Sequence, residues 1–269
     1  MTATGARLVT ISMSHFCEKG RWALDLAGVR YTESGHAPVL HLPHIAARRA
    51  GTTPVLDLPS GPTVRGSDAI LAYAGAHGAP ELLPADPALR REVDRWLAIA
   101  DGRLVPATRR WFYSWAVADA DLLTGMARVN APGWERAIVP VARPAIARLV
   151  SRRFGVGADA RETAAAEALE VFAEADAARE PDTPYLVGGR FTAADLAFAA
   201  LGAPLVFPDG YGPCGALTFD DLPPAMASAV AGWREQPSGA AIGLVYERHR
   251  RAEFARRAGL NGQAGSAGQ

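Results

Sequence analysis

The spacing of apolar residues changes period along the chain. Leu8-Val9-Thr10-Ile11 is a short, largely β-branched run that predicts a buried strand, and from His15 to Ala27 the apolar positions recur at helical spacing up to Gly28. Val29-Arg30-Tyr31-Thr32 predicts a second strand, and Pro43 to Ala50 a short helix stopped by Gly51. Val55-Leu56-Asp57-Leu58 and Thr63-Val64-Arg65 flank Pro59-Ser60-Gly61-Pro62, a turn-rich link that predicts a hairpin. Ser67 then reads as the cap of a helix carrying Ile70, Leu71 and Tyr73.

Three prolines between Pro80 and Pro87 mark a linker, and past it the two-residue period does not return. The stretches Ala88–Val117, Trp134–Phe154, Asp159–Arg179, Thr192–Val206, Pro224–Gln236 and Ser238–Arg257 are helical in period and length. Pro106, Pro140 and Pro144 are expected to break or kink the first two. The end of the chain, rich in Gly, Ser, Gln and Ala, is expected to be disordered. The predicted organisation is a mixed unit in residues 1–80, a linker in 81–87, an all-helical unit in 88–257 and a loose tail in 258–269.

Composition narrows the function classes. With 49% hydrophobic residues the 269-residue chain can bury a sizeable core, and 28 basic against 28 acidic residues leave no excess charge for nucleic acid or an acidic membrane surface. Two distant cysteines and no leader-like start predict a reduced, cytoplasmic protein. The longest apolar run, Phe191 to Phe207, contains Asp195 and Pro204 and is too short to span a bilayer. No spacing of Cys and His suits a metal, and no glycine-rich loop suits a nucleotide, so neither is expected.

The candidate chemistry lies between the first strand and the first helix. A sharp strand-to-helix turn leaves free N–H groups and the positive dipole end at Ser14, His15 and Cys17, where an anionic oxygen or sulfur is favoured. The same spacing suits an N-cap serine above a small buried thiol. Ser14-x-x-Cys17 resembles a C-x-x-C whose first cysteine is serine, which removes the dithiol couple of a disulfide oxidoreductase.

This pattern resembles the glutathione transferase superfamily. The resemblance implies a thioredoxin-like N-terminal domain followed by an all-α C-terminal domain, with Ser14 as the group that activates a thiol, Ser12 being the alternative; His15, where many relatives carry proline, could serve as a base, and Cys17 is a further catalytic candidate. Gly51-Thr52-Thr53-Pro54-Val55-Leu56 matches the family's segment in which Pro54 is cis and the Thr53 backbone holds the peptide part of glutathione. Val64-Arg65-Gly66-Ser67-Asp68 resembles the segment that holds the γ-glutamyl carboxylate through Ser67; Gly66 stands where relatives carry an acid, and Asp68 is the acidic neighbour. Glutathione or a related small thiol is the implied co-substrate and an apolar electrophile the second substrate. Trp111, Phe112 and Trp115 are the candidate wall of its pocket, although a helical aromatic stripe is more often core. The loop from Phe207 to Pro224, with Tyr211 and Cys214, is a candidate cover.

Phe191-Thr192-Ala193-Ala194-Asp195 resembles the family's second-domain capping box, a folding signal. A homodimer is implied along the first domain and the first long helix. The alternatives are a member of the same fold that runs an isomerisation, elimination or ring closure, with its thiol recycled or absent, and a ligand carrier without catalysis.

Overall fold

Strand β1 (Ala6–Ile11) pairs in parallel with β2 (Tyr31–His36) and antiparallel with β3 (Val55–Asp57), which in turn pairs antiparallel with β4 (Val64–Arg65), giving the order β2-β1-β3-β4. This computed structural model describes residues 5–127, 129–157 and 159–250, so the tail expected at 258–269 lies outside the described residues. A parallel β1–β2 pair needs a crossover, and α1 (His15–Leu26) supplies it. After the short α2 (Leu42–Ala46) and the hairpin, α3 (Ser67–His77) packs beside α1. Leu8, Leu24, Leu56 and Ile70 come from β1, α1, β3 and α3 and close a small core. The unit is thioredoxin-like.

Two details differ from the sequence expectation. β2 starts later and runs to His36, because Tyr31-Thr32-Glu33-Ser34-Gly35-His36 is an edge strand without apolar alternation. Its side chains are held by polar bonds instead, Thr10 Oγ1 to Glu33 at 2.6 Å and Arg7 to Ser34 at 2.8 Å. Ser67 is the first residue of α3 and not its cap; the cap is Gly66, whose φ of 88° suits glycine.

The helical part comprises α4 (Pro87–Ile99), α5 (Val105–Ala116), α6 (Ala120–Gly125), α7 (Gly133–Phe154), α8 (Ala160–Ala178), α9 (Ala193–Val206), α10 (Pro224–Glu235) and α11 (Pro237–Val245). All of α9 is buried, as an apolar surface on every side of a helix requires. It packs on α1, α4, α5, α10 and α11, so sheet unit and helices share one core. Of the expected breaks or kinks at proline, an interruption is seen at Pro106, whereas α7 runs on through Pro140 and Pro144. Ahead of Pro106 the chain widens into a π-helical turn, Ala100–Leu104, that joins α4 to α5. Pro140 and Pro144 face solvent within a continuous α7, where the carbonyls they leave free can bond to water. The six-residue α6 was too short to show a period; Asp119 caps it through the Leu122 N–H at 2.8 Å.

At the start of α9 the reciprocal box is present. The Asp195 carboxylate accepts from the Thr192 N–H at 2.8 Å, the Thr192 hydroxyl at 3.0 Å and the Leu186 N–H at 2.6 Å. Burial pushes the Asp195 carboxyl up to about 6 despite these bonds. The folded state therefore holds its proton more tightly than the unfolded chain. This group's contribution to stability is complete below its ordinary carboxylate value and is lost as pH rises through about 6. Urea unfolding across that window should show the wild type losing stability relative to Asp195→Asn as pH rises; parallel curves would refute it. No helix among the described residues is long and apolar enough to cross a membrane.

Candidate functional site

The turn Ser12-Met13-Ser14 carries the chain from β1 into α1. Ser14 is the N-cap of α1, its hydroxyl accepting from the Cys17 N–H at 3.4 Å, and its side chain also lines a cavity of about 380 Å³. Ser12 is excluded from that cavity because its hydroxyl bonds to the Val129 carbonyl from within the fold. The turn is fixed from behind. Arg21 of α1 donates to the Ser12 carbonyl at 2.9 Å and the Ile11 carbonyl at 3.3 Å, and the Tyr211 hydroxyl donates to the Met13 carbonyl at 2.7 Å. The loop after α9 thus buttresses the turn and does not cover the cavity, since none of its residues lines it. Cys214 is exposed.

His15 also lines the cavity. It is buried, its Nε2 has no hydrogen-bond partner, and burial together with Arg109 and Lys19 holds its pKa well below the ordinary imidazole value. A neutral imidazole at neutral pH can accept or donate one proton. Cys17 is outside the cavity wall and fully buried; its sulfur accepts from the Ile11 N–H at 3.4 Å. Burial raises its pKa in spite of Arg21 nearby, which favours the neutral thiol over the thiolate.

Thr53, buried and joined to Pro54 by a cis peptide bond, lines the same cavity, its side chain beside the Cys17 sulfur. Pro54 opens β3 and does not itself line the cavity. Its carbonyl accepts from the Gly66 N–H at 2.9 Å, so α3 begins beside the Thr53–Pro54 bond. The Ser67 hydroxyl, at that helix start, makes no hydrogen bond among the described residues. Asp68 is engaged elsewhere: the fully buried Lys19 ammonium pairs with it and with Asp101 at 3.1 Å. Ser67 and Asp68 therefore flank the Thr53 corner without forming part of the cavity wall.

The helical wall comes from α5 and α7. Arg109, Phe112 and Tyr113 share one face of α5 at i, i+3 and i+4, and Leu149, Val150, Arg153 and Phe154 close the wall from α7. Of the aromatic residues proposed from sequence, only Phe112 lies there. Trp111 packs edge-on to Trp233 at 6.3 Å in the core, and Trp115 sits under the Arg161 guanidinium at 3.4 Å. The sequence reading chose the uncharged face of α5 that carries Trp111 and Trp115, which belongs to the core. The neighbouring face, where Arg109 and Tyr113 interrupt the apolar pattern, is the half-wet wall. Tyr113 stacks on Phe154 at 5.1 Å, and burial pushes its phenol up to about 12, so it is a neutral donor.

The remaining side is the β2–α2 connection with Pro38, Val39 and His41. Glu135 of α7 secures it, taking His36 Nδ1 at 2.6 Å and the Ala37 N–H at 2.7 Å. His36, His44 and Glu135 place ligand-type atoms within 4.8 Å of one another. Both Glu135 oxygens and both His36 nitrogens are bonded within the chain, and the two rings stack at 3.6 Å, which turns their in-plane lone pairs away from a common point. The group is a tie between α7 and the sheet.

Residues 8–81 match the family model described as glutathione S-transferase, N-terminal domain. Among solved structures, the chain is similar to a theta class glutathione S-transferase of Xanthomonas axonopodis pv. citri with glutathione bound, at 22% identity and TM-score 0.52, covering 87% of this chain and 95% of that one. It is also similar to the beta-etherase LigF of a Sphingobium species, at 17% identity and TM-score 0.55, covering 88% and 98%. A glutathione S-transferase of Pseudomonas fluorescens matches at 18% identity and TM-score 0.53, covering 91% and 96%. No curated protein matches the sequence.

Proposed function

Residues 8–81 form a glutathione S-transferase N-terminal domain and the chain as a whole has the fold of that superfamily; from this premise we propose that it binds glutathione or a related thiol, stabilises the thiolate with Ser14, and directs it at an electrophile held against α5 and α7. The observation that carries this reading is the placement of Ser14, at the N-terminus of α1, and Thr53, before the cis proline, on the wall of one cavity. The Ser14 oxygen accepts from the Cys17 N–H, which leaves the hydroxyl proton for a sulfur on the cavity side. The helix end adds a favourable field for negative charge. Together they lower the thiol pKa and hold the nucleophile beside the second substrate. Thr53 and Ser67 are assigned the peptide part of the thiol, and a second copy of the chain is the expected partner.

The test is calorimetric titration with glutathione. Saturable binding that weakens about tenfold in Ser67→Ala, the worth of one hydrogen bond to a charged group at ~1.5 kcal/mol, supports the site. No detectable binding at millimolar glutathione refutes the reading. A second reading, in which the thiol is returned after an isomerisation or elimination, draws on the neutral His15 and Tyr113, two groups fit to move a proton on that wall. Recovery of free glutathione after turnover, against accumulation of a conjugate, separates the two.

A further inference from the structure

Among the residues that line this cavity, the side chains with a full charge are Arg109 and Arg153, and no aspartate or glutamate stands with them. The chain does not lack carboxylates, and its other inward-facing arginines are partnered. Arg21 pairs with Glu18 and Glu33, Arg250 with Glu18 and Asp25, and Arg179 with Asp176. Among the described residues Arg161 and Arg234 make no ion pair, but they donate to Ser114 and to the carbonyls of Val206 and Phe207, and Asp209 and Asp220 lie near enough to Arg234 to act on its charge. Arg109 makes neither kind of bond among the described residues.

What holds Arg109 is aromatic. Its guanidinium carbon lies 5.2 Å from the Phe16 ring centre and 4.9 Å from that of Phe154, and Arg153 lies 5.6 Å from the same Phe154 ring. Burial pulls the Arg109 pKa down, as an uncompensated cation requires, yet a guanidinium keeps its charge. Its five N–H donors are left to a ligand. A guanidinium fork matches a flat pair of oxygens, and rings that fix its place reduce the entropy lost on binding.

We propose that the second ligand of this cavity is an acid: a planar, largely apolar molecule whose carboxylate is taken by Arg109, with Arg153 beside it, and whose body lies along Phe16, Phe112 and Tyr113. This rests on the reading that the α5–α7 wall holds the second substrate. It narrows that substrate from apolar electrophiles in general to acidic ones. Glutathione carries carboxylates of its own, so the source of the anion has to be separated by experiment.

The full chain is titrated calorimetrically with naphthoate and with naphthamide, which share a shape and differ in charge, each with and without saturating glutathione. The expected result is that naphthoate binds at least tenfold more tightly, also with glutathione present. Arg109→Met should bring the ratio close to one, and Arg109→Lys, which keeps the charge but not the fork, should give an intermediate ratio. Arg153→Gln, at an exposed position, should lower the ratio without affecting the fold. Equal affinities in the unaltered chain, no naphthoate binding, or a preference that survives Arg109→Met would overturn the proposal. So would displacement of naphthoate by glutathione joined to weaker glutathione binding in Arg109→Met, which assigns the arginines to the thiol. A naphthoate preference in a chain that does not bind glutathione leaves the acid site standing and refutes the thiol reading instead.

Discussion

Ser14→Ala is expected to lower glutathione-dependent turnover by on the order of a hundredfold to a thousandfold, the cost of removing one preorganised donor from a developing or resident negative charge. Glutathione affinity should change only a few fold, because the proposed site gives the peptide part to Thr53 and Ser67. The substitution also removes the N-cap of α1, at about 1 kcal/mol, so a small fall in melting temperature is part of the prediction. Ser14→Thr keeps both the cap and a hydroxyl and separates the two effects: its stability should match the wild type and its turnover should lie between wild type and alanine. The direct readout is the thiolate absorbance of bound glutathione against pH, whose midpoint should move up toward that of the free thiol in the alanine variant. Turnover of a chlorodinitrobenzene that is unchanged in Ser14→Ala, with an unshifted midpoint, would assign the thiolate to another group, His15 being the neighbour on the same wall.

The legibility of this chain in its sequence followed its physical causes. Features set by local sequence were readable: the strand-to-helix turn at Ser14, the capping box at Thr192 and Asp195, and the long helices, whose period is a property of neighbours in the chain. The division into a thioredoxin-like unit and a helical part followed from the loss of the two-residue period. Features set by what packs from outside were not readable. The resemblance offered Trp111 and Trp115 as wall residues by their place in the second domain, but which face of α5 meets the cavity depends on α8, α9 and Trp233 of α10 occupying the other one. Arg109 carried a signal that could have been used, a charge at i, i+3, i+4 spacing with Phe112 and Tyr113. Cys17 was read as reactive because helix N-termini favour thiolates, yet burial outweighs that field at this site. The role of Tyr211 depends on a contact with Met13 across 198 positions, which no local pattern announces.

Arg21→Met is expected to cost about 3–5 kcal/mol of folding stability, the range for removing one partner of a buried ion network. Methionine keeps much of the length and apolar stem, so the loss is one of charge and hydrogen bonds. The Arg21 side chain is 1% exposed and makes four bonds: to Glu33 at 2.7 Å, to Glu18 at 3.3 Å, and to the carbonyls of Ser12 and Ile11. Without it Glu33 keeps the Thr10 hydroxyl and Glu18 keeps Arg250, but both carboxylates have lost a counter-charge inside the fold. The carbonyls at the turn lose their donor as well, which links stability to the site. Arg250→Met removes the other cation from Glu18 and leaves the turn untouched. The two variants should therefore both unfold at lower urea, while only Arg21→Met raises the thiolate midpoint of bound glutathione, through displacement of Ser14. Equal midpoints in the two variants would mean that the turn is held by the packing of Met13 and Tyr211 alone, and that Arg21 contributes to folding without positioning the candidate catalytic serine.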